Sequence, residues 1–288
     1  MLMKTLAVMA NNSKPRAADV LRRVAEHAEA LQLELYTDEH SAGFFKQAKA
    51  VSSSEIFDLV DGVVALGGDG TMLRVARSLN GRQTLLMGVN IGSLGFLTSV
   101  TENDLETGLD CLAHDRYLVS HRSVASIRVE RNGEKIAGYR GLNDVVVSRG
   151  PSSRVVTLEV AVGKDPVTSY VCDGLILSTP TGSTGHSLSA GGPILTPDTA
   201  AFVLCLICPH TLSSRPLVVP DRSDITVHVA ECSGELLLSV DGQVDQRLSQ
   251  GDVVHVTRSP RDVRFALLPD YSYYAVLRQK LHWRGKSV

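Results

Sequence analysis

The sequence predicts an α/β amino-terminal domain with a parallel, Rossmann-like sheet, followed by a mainly antiparallel, β-rich carboxy-terminal domain. Three observations lead there. Strand-like and helix-like patterns alternate over about the first hundred residues, the rhythm of a doubly wound sheet. Residues 60–66, apolar but for Asp61, read as a parallel strand covered on both faces. From about residue 120, short alternating segments are joined by turn residues, among them Asn132-Gly133, the strongest short-range hairpin signal.

In order, residues 6–10 read as a short buried strand. Ser13 and Pro15 then open a helix, Ser as a cap and Pro in the first turn. Ala17, Ala18, Leu21, Val24, Ala25, Ala28 and Leu31 recur at helical spacing and give it one apolar face. Residues 33–36 and 60–66 read as strands, 72–79 as helix and 84–89 as strand. Beyond them, 124–130 and 135–139 flank the Asn-Gly turn, and 155–162 and 167–171 flank Gly163-Lys164-Asp165-Pro166. Strands follow at 225–230, 236–240 and 253–257, and 271–283 has helical spacing with several basic residues. The excess of basic residues after Thr257 reads as a solvated helix face.

Composition narrows the function. Lys plus Arg is 29 against 31 for Asp plus Glu, so there is no whole-molecule attraction to nucleic acid or an anionic membrane. Five cysteines are an odd number, thinly spread, unlike a disulfide scaffold. Cys205 and Cys208 form a C-x-x-C inside the apolar run 201–208 with no second pair, so buried core is expected rather than zinc or redox chemistry. The opening apolar stretch is too short for a signal peptide, and no run approaches the ~18 apolar residues of a membrane span. A soluble, cytoplasmic chain is expected.

The segment Leu66-Gly67-Gly68-Asp69-Gly70-Thr71-Met72 lies between a predicted buried strand and a helix. Ligands of open α/β sheets bind at the carboxyl ends of strands, and glycines let peptide N–H groups approach phosphate oxygens. A carboxylate among such glycines repels phosphate, but makes sense if Asp69 meets a metal ion or takes a proton from a hydroxyl. The same segment also reads as a tight strand–helix turn with Asp69 as the cap. Other nucleotide motifs fail. Leu73 stands where the dinucleotide fingerprint needs its third glycine. Gly285-Lys286-Ser287 mimics only the end of a Walker loop, and Thr181 replaces the first glycine of a nucleophile elbow at residues 181–185.

Four further segments accompany that loop: Asn-Ile-Gly-Ser-Leu-Gly-Phe-Leu at 90–97, Leu-Asn-Asp-Val-Val at 142–146, Asp-Gly-Leu-Ile-Leu-Ser-Thr-Pro-Thr-Gly-Ser-Thr at 173–184, and Pro-His-Thr-Leu-Ser-Ser-Arg-Pro-Leu at 209–217. In this order and spacing the chain resembles the bacterial NAD kinases (ATP-NAD kinase family) nearly end to end. The Gly-Gly-Asp-Gly-Thr loop alone is shared with 6-phosphofructokinases and lipid kinases; the other segments are not.

The resemblance implies phosphoryl transfer from ATP to the 2′-hydroxyl of the adenosine ribose of NAD, giving NADP. In that reading Asp69 is the general base, and Gly67, Gly68, Gly70, Thr71 and Arg74 hold phosphate. A divalent cation, Mg²⁺ by its chemistry, neutralises the transferring group, with ligands the sequence does not assign. Asn143 presents a donor and an acceptor to an adenine edge, and Asp144 is a double acceptor for a ribose diol. Asp69 and Gly70 also meet NAD, Thr184, Gly185, His186, Ser187, Leu188 and Ser189 line the dinucleotide, and Arg154 and Gln243 add polar contacts. Asp173 reaches the second nucleoside across a subunit boundary, which implies a homodimer or homotetramer. His210 reads as structural. From the residues alone, Asn143-Asp144 also reads as a turn cap, and Arg74 and Arg154 as solvated arginines. Competing functions are a lipid or sugar kinase and a non-catalytic NAD-sensing module. Many relatives carry Ala-Tyr where this chain has Gly185-His186, and many have Glu at Asp144. The expected division is residues 1–98 and 99–268, with 269–288 returning to the first domain.

Overall fold

The computed structural model describes residues 3–92, 95–150, 155–211 and 213–283. It begins with β1 (Thr5–Ala10) and α1 (Ala17–Ala30), followed by β2 (Glu34–Thr37), β3 (Lys49–Ala50) and a short α2 (Ile56–Leu59). Next come β4 (Gly62–Gly67), α3 (Asp69–Leu79), β5 (Leu85–Asn90), β6 (Val100–Thr101), α4 (Leu105–Ala113) and β7 (Leu118–Arg122). The predicted apolar face of α1 is realised, with Val20, Leu21, Val24 and Ala28 buried. Its start is not. Ser13 spends its N–H and hydroxyl on Asn11 Oδ1, and the helix begins after Arg16 with no side-chain cap. β4 and β5 are buried at every position, which is why their sequences run apolar without alternation.

The second unit contains β8 (Ala125–Arg131), β9 (Glu134–Gly141), β10 (Asp144–Arg149), β11 (Val156–Val162), β12 (Asp165–Cys172) and β13 (Gly174–Ser178). It continues through α5 (His186–Ser189), β14 (Ala201–Ile207), β15 (Leu217–Pro220), β16 (Ile225–Glu231), β17 (Leu236–Val240), β18 (Val244–Leu248) and β19 (Val253–Arg258). The chain ends with β20 (Val263–Leu267) and α6 (Tyr273–Lys280). Asn132 and Gly133 take φ of 52° and 81°, the left-handed pair that a two-residue hairpin demands.

Strands β1 to β6 and β20 pair in parallel, in a sheet ordered β3-β2-β1-β4-β5-β20-β7 with β6 beside β5. In the second unit the order is β15-β14-β13-β10-β17-β18 in one antiparallel sheet and β12-β11-β16-β19-β8-β9 in the other. Inward residues of both, such as Val145, Leu175 and Leu238 against Ile127, Leu158 and Val227, form one sandwich core. The outer face of β10, β13 and β14 is covered too, by Ala190 and Leu195, so Val146, Ile176 and Cys205 are also buried.

Two expectations need correction. The compact units are residues 1–121 with 263–288, and residues 122–262, not divided at 98 and 268. α4 lies against α1 through Arg23–Glu106 and His27–Asp110, and β20 pairs with β5, so both flanking segments belong to the first unit. The C-x-x-C is only half core: Cys205 is buried on β14, whereas Cys208 lies past the strand end, exposed, with φ of 44°. α6 groups with the first unit, burying Val276 and Leu277 and placing Lys280 Nζ 5.7 Å from the Phe96 ring centroid.

Candidate active site

In the first unit, β1 leads outward to β2 and β4 leads the opposite way to β5, so the strand order reverses between β1 and β4. The carboxyl ends of such strands form the ligand crevice of open α/β sheets. The glycine-rich loop sits at the carboxyl end of β4. Gly67 is required by packing, because a Cβ there would lie 2.2 Å from Thr71 Oγ1. Gly68 and Gly70 are not: a Cβ on either would meet nothing within 4 Å, and Gly68 has φ of −132°. Their bareness leaves the N-terminus of α3 open to an outside group.

Asp69 does not cap its own helix. Gly68 occupies the cap position, and Asp69 turns its carboxylate sideways to accept the N–H groups of Phe96 and Leu97, both at 2.9 Å. Gly95 makes this approach possible, since its Cβ would lie 2.0 Å from Asp69 Oδ1. Arg74 is held by the fully buried Asp38, 3.0 Å away, and by the Ala10 carbonyl. Asn90, at the end of β5, donates to the Gly92 carbonyl at 3.0 Å. Thr71 is buried beneath the loop.

In the second unit, Asn143 and Asp144 precede and open β10. Asp241, just past β17, accepts the N–H groups of Leu142 at 2.9 Å, Asn143 at 2.7 Å and Asp144 at 3.2 Å, and returns its own N–H to the Asp144 carbonyl. Thr179 N–H donates to the Asn143 carbonyl at 2.8 Å, and a Cβ on Gly182 would lie 2.1 Å from that same oxygen. The Asn-Asp turn and the Thr-Pro-Thr-Gly segment are therefore locked backbone to backbone. Asn143 Oδ1 and Thr181 Oγ1 are buried with no hydrogen-bond partner. Asp144 is 5% exposed, and burial together with the Asp241 charge pushes its carboxyl up to about 7.

The rest of this segment is graded in exposure. Ser187 is buried, its Oγ 3.3 Å from Cys205 Sγ; Thr184, Gly185 and Leu188 are half-buried; His186 and Ser189 are exposed. Gln243 closes the β17–β18 turn after Gly242, whose φ is +62°. Asp173 is clasped by Arg149 at 2.7 and 3.1 Å, which holds its carboxyl below the usual range. His210 anchors its loop through its N–H to the Val171 carbonyl. Arg154 lies outside the described residues.

Sequence reasoning did not single out Asp241, Asp38, Arg149 or the Thr181 hydroxyl. Asp241-Gly242 does carry a turn signal, which places Asp241 in a hairpin without revealing which peptide groups it holds.

Comparison with known proteins shows the family of the chain. Residues 6–117 match the ATP-NAD kinase N-terminal domain and residues 142–268 the ATP-NAD kinase C-terminal domain. The chain belongs to the NAD kinase family. It is 41% identical over 282 residues to the NAD kinase of Geobacter sulfurreducens, covering 98% of this chain and 99% of that protein. The NAD kinase of Moorella thermoacetica is 39% identical over 284 residues, covering 98% and 91%. The fold is that of yeast NADH kinase solved with NADH (TM-score 0.92, 22% identity, covering 100% and 89%). It is also that of an Archaeoglobus fulgidus NAD kinase solved with ATP (TM-score 0.77, 24% identity, covering 98% and 100%). Like its relatives the chain is an NAD kinase, and among the described residues no helix is long and apolar enough to cross a membrane.

Proposed function

We propose that this NAD kinase moves the γ-phosphoryl group of ATP to the 2′-hydroxyl of the adenosine ribose of NAD, with Asp69 as general base. The O2′–P bond forms, the bond to the ADP leaving oxygen breaks, and the hydroxyl proton passes to Asp69. The observation that carries this is the carboxylate itself: two peptide N–H groups fix it at the glycine loop, and it is not consumed in capping α3. Each carboxylate oxygen has room for a second bond, so a substrate hydroxyl can still be accepted.

The phosphates would approach the start of α3 at Gly68 and Gly70, where no side chain stands in the way, with Thr71 in support. Arg74 would act from its Asp38 clasp, as a fixed positive charge rather than a mobile arm. On the nucleoside side, Asn143 Oδ1, Thr181 Oγ1 and Asp144 offer buried groups that a ligand would satisfy. The exposed His186 and Ser189, with Thr184, Gly185, Leu188 and Gln243, would line the dinucleotide over the buried Ser187.

Among the described residues no three or more His, Cys, Asp or Glu side chains are placed to hold a metal ion. The Asp69 carboxylate, a hard oxygen donor fixed at the glycine loop, would suit Mg²⁺ carried on nucleotide phosphates. Bound so, the ion supplies charge neutralisation on the transferring group.

A homo-oligomer belongs to the same reading. Val167 and Val171 on β12 and Leu217 and Val218 on β15 are exposed apolar residues on sheet-edge strands, which proteins normally cover. Light scattering of the purified chain reads this, and a monomer at working concentration would remove it. The central test is NADP formation from NAD, ATP and Mg²⁺ by purified wild type and Asp69→Ala. Turnover by wild type and its loss in the variant are expected; equal rates would take Asp69 out of the chemistry.

A further inference from the structure

Asp241 lies outside every motif singled out in the sequence, yet its carboxylate serves three consecutive peptide groups. Leu142 is 3% and Asp144 5% exposed, so their N–H groups are beyond the reach of bulk water and need protein acceptors. Successive peptide N–H groups in a tight turn form an anion-binding concavity, and here the chain fills it with its own Asp241 side chain. Asp241 is itself only 9% exposed and sits at φ of 53°, a left-handed conformation that Asp tolerates better than most residues. The contact depends on sheet register: Val145 pairs with Val240, which puts Asp144 opposite Asp241, and the Asp241 N–H closes the ring on the Asp144 carbonyl at 3.0 Å.

We propose that Asp241 is a positioning residue for the nucleoside half of the substrate: by gripping the peptide groups of residues 142–144 it aims the Asn143 and Asp144 side chains. This rests on the reading of Asn143 and Asp144 as the nucleoside contacts. The grip accounts for why the turn can keep Asn143 Oδ1 buried and without a partner, since the backbone has no freedom to turn that oxygen outward. It also accounts for the state of Asp144. Its carboxyl is the one that gives way when two carboxylates crowd a buried site, because Asp241 has three N–H donors holding its charge, whereas burial and the Asp241 charge both act against that of Asp144. Asp241 thus sets both the direction of Asn143 and the proton on Asp144.

The experiment uses the full chain, with KM for NAD and for ATP, and kcat, measured for wild type, Asp241→Asn, Asp241→Glu, Asn143→Ala and the Asp241→Asn/Asn143→Ala double variant. Asp241→Asn turns one acceptor into a donor facing a peptide N–H. It should raise KM for NAD by about tenfold or more, the scale of a lost charged hydrogen bond, with KM for ATP changed by less than about twofold. Asp241→Glu keeps the charge and should lie between. The double variant should be no worse than the poorer single one, because residues acting through one another do not add. In kcat/KM for NAD against pH, any inflection near neutrality in wild type should move to lower pH in Asp241→Asn. If Asn143→Ala leaves KM for NAD unchanged, the nucleoside reading of the turn fails and this proposal with it. If Asn143→Ala raises that KM while Asp241→Asn does not, or raises both KM values alike, the positioning role alone is overturned. Failure of both Asp241 variants to fold would make the residue a requirement of the sandwich and equally overturn it.

Discussion

The two candidate regions, one in each unit, solve opposite problems. At the glycine loop every charged group is already answered from within: Asp69 by two peptide N–H groups, Arg74 by Asp38 and the Ala10 carbonyl. At the Asn-Asp turn, polar atoms are buried and left waiting: Asn143 Oδ1, Thr181 Oγ1 and a carboxyl at Asp144 pushed up to about 7. Groups that do chemistry gain from being fixed before the substrate arrives, because orientation is then not charged to the reaction. Groups that select a ligand gain from being unsatisfied, because only the right partner offsets their desolvation. Fixed charges of the first kind suit a reaction, and unsatisfied groups of the second kind suit recognition.

Breaking the first region should cost the most. Asp69→Asn should lower kcat by ~10²–10⁴-fold, the range of a lost general base, with NAD binding largely intact. The structure adds that Asn is not a silent replacement here, since its amide must turn a donor toward Phe96 or Leu97 N–H. Asp69→Ala should therefore accompany it. Retention of more than about a tenth of wild-type kcat in both variants would remove Asp69 from the base role.

The second region should show its cost in stability. The carboxyl of Asp144 sits at about 7 in the folded chain against an ordinary 3.8. Between those values the folded chain holds a proton that the unfolded chain has lost. The contribution of Asp144 to stability is thus fullest below pH ~4, falls as pH rises toward 7 and flattens above, by at most about 4 kcal/mol. Asp144→Asn, neutral at every pH, should melt higher than wild type at pH 8 and differ little at pH 4, while binding NAD more weakly. Parallel melting curves against pH would mean that Asp144 ionises freely, and the contrast between the regions would collapse.

A subtler cut separates fixing from chemistry. Gly95→Ala leaves Asp69 present but puts a methyl 2.0 Å from its Oδ1, so the carboxylate must shift. A misplacement of about 1 Å can cost ~10²-fold, and kcat should fall on that scale while the melting temperature moves little. A normal kcat in Gly95→Ala would show that Asp69 works from another position.

How far the sequence reached follows the same divide between local and long-range information. The apolar run 62–66 and the Asn132-Gly133 pair speak for β4 and the β8–β9 hairpin because each signal is contained in its own segment. Gly67 to Thr71 and Asn143-Asp144 were legible as contiguous motifs for the same reason. The grip of Asp241 was not, since it joins residues 97 to 99 positions apart and exists only once β10 and β17 are in register. Arg74 reads as a candidate phosphate ligand until Asp38, 36 positions earlier, is seen to hold it. The domain boundary slipped because α4 is short and carries Gly108 in its middle. Its allegiance to α1 is a matter of packing and of ion pairs 83 residues apart.

The smallest effect belongs to His186, the one ring in the segment expected to line the dinucleotide. His186 opens α5 directly after the half-buried Gly185, with its imidazole exposed, while Ser187 behind it is buried against Cys205. An exposed ring contributes nothing to the core, so its removal should leave the melting temperature unchanged and speak only about ligand. Stacking of a base on an aromatic ring is worth roughly 1–3 kcal/mol by alanine substitution, and an exposed, one-sided stack belongs at the lower end. His186→Ala should raise KM for NAD about fivefold, the equivalent of ~1 kcal/mol, and leave KM for ATP alone. His186→Tyr restores a larger aromatic face and should match or improve on wild type. Because Gly185 and Ser187 are untouched in both variants, a backbone explanation predicts the same KM in all three proteins. Three equal values would therefore confine NAD recognition in this segment to the buried groups behind the ring.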